Sequence, residues 1–192
     1  MWLAMLVMVC FSVLQKKQKR LLSCARASIT QGLQGGWQRE PPSLDKDEPG
    51  ASFVTLTLQG RLRGCVGSLE VRQSLIVNVW QNAFNAAFRD SRFPPLDQEE
   101  LGDVQIAISI LTPALLLAAD NEQDLLNKIR PGVDGLILEE GIHRATFLPS
   151  VWNTLPKSQD FLLHLKRKAG LADDYWSSSL KFTTYQTISF TE

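Results

Sequence analysis

The sequence predicts an α+β fold with mostly antiparallel sheet and packed helices. Three observations predict it. Strand-like and helix-like stretches are interspersed along the chain. Two strand pairs are joined by short glycine-containing turns, at Gln59-Gly60 and around Gly141, and so short a link permits only antiparallel pairing. No helix separates the first two strands, as a parallel βαβ unit would require. At 192 residues the chain can bury a real core, as one domain or two small lobes.

The elements follow in order. Met1 to Leu14 is nearly all apolar and precedes the basic run Gln15–Arg20. A secretory signal has the opposite order, basic before apolar, and about 17–25 apolar residues are needed to cross a bilayer. The segment therefore reads as an N-terminal extension of a helix or as a start placed too far upstream, with a short anchor as the alternative. Leu21, Leu22, Ala25, Ile29 and Leu33 fall on one helical face, and Gly35-Gly36 ends that helix. Pro41 to Gly50 is a polar, proline-rich loop. Phe53–Leu58 alternates and is rich in β-branched residues, so it reads as a strand. Leu62–Leu69 returns as a second strand, and its internal glycines suggest a bulge or close backbone contact.

Ser74–Asp90 is a helix whose buried stripe holds Leu75, Ile76, Val79, Ala83, Ala86 and Ala87. Pro94-Pro95 forbids its continuation. Asp97 and Glu100 have capping-box spacing for a short helix that Gly102 closes. Val104, Ile106, Ile108 and Ile110 mark the clearest strand. Asn121–Ile129 is a helix capped by Asp120 or Asn121, and Pro131–Gly135 a turn. Leu136–Glu140 and Ala145–Leu148 form a hairpin, with His143 in its turn. Ser150–Leu155 and Gln159–Lys168 are helices, and Lys181–Phe190 is a terminal strand.

Charge and cysteine usage limit the function classes. Lys plus Arg and Asp plus Glu both number 20, and that balance argues against general nucleic-acid binding. The three cysteines, Cys10, Cys24 and Cys65, have no metal-ligand spacing and no disulfide framework, which suits a reducing cytosol. The reading is a cytoplasmic protein with no stable membrane insertion, no metal and no cofactor.

The most informative stretch is Arg61-Leu62-Arg63-Gly64-Cys65-Val66-Gly67. It sets a thiol between two glycines, downstream of two arginines. Three readings stand. In an enzyme, Cys65 is a nucleophile or radical carrier whose pKa Arg63 lowers, and Asp90 is the base or orients Arg92. In a binding module, Gly64 and Gly67 expose backbone N–H groups while Arg61, Arg63 and Arg92 supply charge for a small anionic ligand or a partner's acidic segment. In a structural corner, Cys65 is a small buried hydrophobe. His143 and His164 belong to no Cys-His signature and read as surface or helix histidines.

Leu62–Glu70 with Asp90-x-Arg92-Phe93-x-Pro95 downstream resembles the AMMECR-type domain family. Leu22–Ile29, Phe53–Leu56, Ile106–Pro113, Pro131–Leu138, Thr146–Trp152 and Lys168–Leu171 fit the same pattern in order. The pattern is closest to the bacterial branch called AmmeMemoRadiSam system protein A. The resemblance implies two interlocked α+β lobes, with residues 1–14 as an apolar extension and 15–192 as a single domain of this type. It also implies association with a radical-SAM protein and a Memo-type protein, and no settled reaction. Cys65, Asp90 and Arg92 stand at its motif positions.

Overall fold

The computed structural model describes residues 2–42 and 48–192, and for residues 2–13 only the helical backbone. Ser43–Asp47, part of the expected loop over Pro41–Gly50, lies outside the described residues. The chain forms two compact units. The first holds residues up to Ile110 together with Ser189–Glu192, and the second is Leu111–Ile188.

In the first unit, α1 (Trp2–Leu33) and α2 (Leu75–Phe88) accompany β1 (Ser52–Leu58), β2 (Arg61–Gly67) and β3 (Val104–Leu111). Helix α1 starts at Trp2, not at Leu21. No proline or glycine interrupts residues 2–31, so nothing local stops the helix short of Trp2. From Leu14 on, where its side chains are described, the helix first buries Leu21, with Ala25, Ser28 and Ile29 following. Gly35 ends it at a φ of 73°. The Gly36 N–H donates to the Gln31 carbonyl and the Gly35 N–H to Gly32, the paired bonds of a Schellman motif.

β1 and β2 pair antiparallel, as do β1 and β3. The turn between β1 and β2 holds Gln59 at φ 50° and Gly60 at φ 75°, the two positive values that a type I′ hairpin demands. The sheet order is β2-β1-β3-β8, with β8 at Thr187–Thr191. Val54, Leu56, Ile106 and Ile108 face the helices in one core with Leu21, Ala25, Ile29, Val79 and Ala83. Period-two alternation places Phe53, Thr55, Cys65 and Ser109 on the other face. A buried polar network ties α2 to the strand ends. Asn78 Oδ1 accepts from the Ser52 N–H at 2.9 Å and Oγ at 2.7 Å, and Asn82 Nδ2 donates to the Ser52 carbonyl.

The second unit has β4 (Leu115–Leu116), α3 (Glu122–Lys128), β5 (Gly135–Glu140), β6 (His143–Phe147), α4 (Ser158–Ala169) and β7 (Lys181–Tyr185), in sheet order β4-β7-β5-β6. Its core joins Leu125, Leu136, Leu138, Phe161, Leu165 and Phe182, and Trp152 stacks on Phe161 at 3.7 Å. Together the helices and the antiparallel sheets make the α+β fold that the sequence predicts.

Four local expectations change. The segment expected as a helix over Ser150–Leu155 is a 3₁₀ turn, Pro149–Asn153, and Pro156 directly after Leu155 disfavours its continuation. β4 is an added strand. His143 opens β6 opposite Glu140 and does not sit in the turn. The single terminal strand is two strands in two sheets. Gln186 leaves the ladder because its N–H donates to Thr112 Oγ1 and its carbonyl accepts from the Thr112 N–H, both at 2.9 Å.

Candidate functional site

Cys65 lies on β2, an edge strand. It faces Thr55 across the ladder, and its Sγ is 3.2 Å from Thr55 Oγ1. Its backbone groups point off the sheet, and side chains take the place of the missing strand. The Cys65 N–H donates to Asp90 Oδ2 at 2.8 Å. The Cys65 carbonyl accepts from an Arg92 amino group at 3.2 Å. The Arg92 guanidinium makes two bonds to Asp90, 2.9 and 2.7 Å long, and the Arg92 N–H donates to Asp90 Oδ1 at 3.2 Å. Such pairing blunts an edge that would otherwise invite another strand.

The Asp90 carboxylate is 7% exposed. The Arg92 guanidinium and the Cys65 and Arg92 N–H groups outweigh its desolvation and hold its pKa well below the usual carboxylate range. An acid held that low is a weak base. The Arg92 side chain stays 55% exposed and lies over the Phe93 ring at 5.4 Å.

Arg63 does not turn to the thiol. It stands at the register shift where β1 and β2 lose step, and such a bulge re-aims its side chain. The guanidinium makes two 2.7 Å bonds to Glu100 and donates to the carbonyls of Pro94 and Pro95. Glu100 in turn accepts from the Asp97 N–H while Asp97 accepts from the Glu100 N–H. That is the capping box read from spacing, with a role as an arginine clamp that spacing could not announce. The expectation that Arg63 acidifies Cys65 is therefore replaced by a structural role for Arg63.

Gly64 and Gly67 serve close approach. A Cβ on Gly64 would lie 2.1 Å from the Ala86 carbonyl oxygen of α2, and one on Gly67 would lie 2.3 Å from the Phe53 ring. Arg61 is exposed beside the turn. His143 Nδ1 donates to the Ala169 carbonyl at 2.8 Å, and His164 lies on α4; both belong to the second unit. Among the described residues, no group of three His, Cys, Asp or Glu side chains could hold a metal ion. Cys24 sits in the wall of a cavity of about 250 Å³ between α1, Pro41-Pro42 and α2. Burial pushes its thiol up to about 11 against the pull of Arg20. Thr55 and Glu100 are the site neighbours that sequence reasoning missed; the capping-box spacing was the one available signal.

Comparison with known proteins accounts for these motifs. The AMMECR1 family model matches residues 22–190. A protein of Methanothermobacter thermautotrophicus is 36% identical over 184 residues, covering 91% of this chain and 93% of its own. A protein of Methanococcus aeolicus is 40% identical over 143 residues, 71% of this chain and 69% of its own. The crystal structure of an uncharacterized protein from Pyrococcus horikoshii superposes with a TM-score of 0.82 at 32% identity, covering 90% of this chain and 89% of that one. These relatives are archaeal, and this chain belongs to the AMMECR1 family.

Proposed function

We propose that this chain is an accessory or ligand-binding component that works with a radical-SAM protein and a Memo-type protein, in a system of the AmmeMemoRadiSam kind. The Cys65 corner is the surface it offers. One observation carries the choice of binding over catalysis. Both oxygens of Asp90 are engaged by Arg92 and the Cys65 backbone, so the residues around the thiol build a rigid corner and supply no ready base. The exposed Arg92 guanidinium gives that corner a charge for a small anion or an acidic segment. A cytosolic location goes with this role. Among the described residues no helix is long and apolar enough to cross a membrane.

The test is capture of the radical-SAM and Memo-type proteins of the same organism by the tagged full chain. Capture should fall with Cys65→Ser and with Arg92→Lys, both of which should keep the wild-type melting temperature within a few degrees. Equal capture by all three forms would refute the assignment. Turnover of a substrate by the chain alone, lost in Cys65→Ser, would favour the alternative in which Cys65 is a nucleophile or radical carrier.

A further inference from the structure

A second surface of the first unit is built like a ligand site. Gln81 and Asn85 lie four residues apart on one face of α2, and Arg89, which caps the C-terminus of that helix, follows at the same spacing. Trp37 and Arg39 run beside that face, and together the five residues line a groove of about 310 Å³. That volume is at the lower bound of small-molecule sites, about 300 Å³.

The groove wall is fixed by side-chain bonds from the core. Trp37 Nε1 donates to Ser28 Oγ at 3.0 Å. Trp80 Nε1 donates to the Gln38 carbonyl at 2.8 Å, and Gln81 Nε2 to the Arg39 carbonyl at 3.0 Å. Phe84 is the base of the arrangement. Trp37 stacks on it at 4.0 Å, and the Arg89 guanidinium lies over the same ring at 5.1 Å. A stacked guanidinium is held in place without losing its donors.

No described carboxylate answers this charge. Among the described residues, neither Arg39 nor Arg89 pairs with a carboxylate, and the Asn85 side-chain amide makes no hydrogen bond. Every other lining polar group has a structural duty: Gln81 accepts from Gln73 and donates to Arg39. The groove thus offers two guanidinium groups, an amide and an indole, with donors in excess.

We propose that this groove binds a small organic oxyanion carrying a planar ring, its phosphate or carboxylate held between Arg39 and Arg89 and its ring against Trp37. Guanidinium forks match both oxyanions. The site is distinct from the Cys65 corner: Arg89 turns to Phe84, whereas the adjacent Asp90 turns to the Cys65 N–H.

The test is calorimetric titration of the full chain with adenosine monophosphate, with phthalate and with uncharged adenosine. At least one anion should saturate the protein with one site, and adenosine should not. Which anion binds more tightly distinguishes phosphate from carboxylate. Arg39→Gln and Arg89→Gln should each weaken binding about tenfold, the loss of roughly one charged hydrogen bond. Arg72→Gln, an exposed arginine outside the groove, should bind as the wild type does. No saturation by either anion at millimolar concentration would overturn the proposal. So would binding unchanged in both groove variants, or adenosine binding as well as its monophosphate.

Discussion

Replacing Gly64 by alanine separates two explanations of the glycine-flanked cysteine. If Gly64 served chiefly to present an N–H to an anion, a methyl group would cost little stability. The structure puts the missing Cβ 2.1 Å from the Ala86 carbonyl oxygen and 3.0 Å from its carbon, whereas ordinary contact begins at 3.4 Å. The obstacle is helix backbone, which no rotamer change can move. Helix α2 and strand β2 would have to part by about 1 Å, and overpacking of a tight core costs about 1–3 kcal/mol. Because the clash is with backbone, the upper value, about 3 kcal/mol, is expected. For a chain of this size it lowers the melting temperature by about 6–12 °C. Thermal unfolding followed by circular dichroism measures it. Gly67→Ala meets the half-buried Phe53 ring, which can turn, and should lose less. Gly102→Ala meets nothing within 4 Å and should melt like the wild type. A Gly64→Ala variant within 2 °C of wild type, on that same scale, would refute the close-approach reasoning.

Three further outcomes are expected. Arg63→Ala breaks the clamp on Glu100 and two proline carbonyls and should cost about 2–3 kcal/mol in denaturant unfolding, just below the range for a fully buried pair, with no change in the rate of Cys65 alkylation. Asp90 titrates lower in the folded chain than its ordinary value of about 3.9, so its stabilising contribution is complete above that pH and is lost as pH falls below it; urea midpoints measured from pH 6 to pH 3 should fall less steeply in Asp90→Asn than in wild type. A chain beginning at Gln15 should melt with the full-length protein, because no residue from Leu14 to Arg20 is buried and the described core contacts of α1 start at Leu21; a loss of several degrees would show that the first residues add core contacts.

Much of the architecture was legible because its signals are local. The alternation from Val104 to Ile110, the alanine-lined stripe of α2 and the Asn121 cap each depend on neighbours a few residues away. The Asn121 side chain does accept from the Asp124 N–H. The split of the last strand was illegible for the opposite reason. Residues 181–190 contain no glycine or proline, and the break at Gln186 arises from bonds to Thr112, 74 residues away.

At the Cys65 corner, the sequence by itself determined the cast: a thiol between glycines, arginines before it, and Asp90 and Arg92 following a helix. It determined the family through the same residues. Tertiary structure alone decided the roles. A one-residue register shift in β2 sends Arg63 to Glu100 and away from the thiol. The edge position of β2 leaves the Cys65 N–H and carbonyl open, and Asp90 and Arg92 occupy them. The physical reason is that strand pairing and helix packing fix which backbone groups remain unsatisfied, and buried polar groups must find partners wherever the fold brings them.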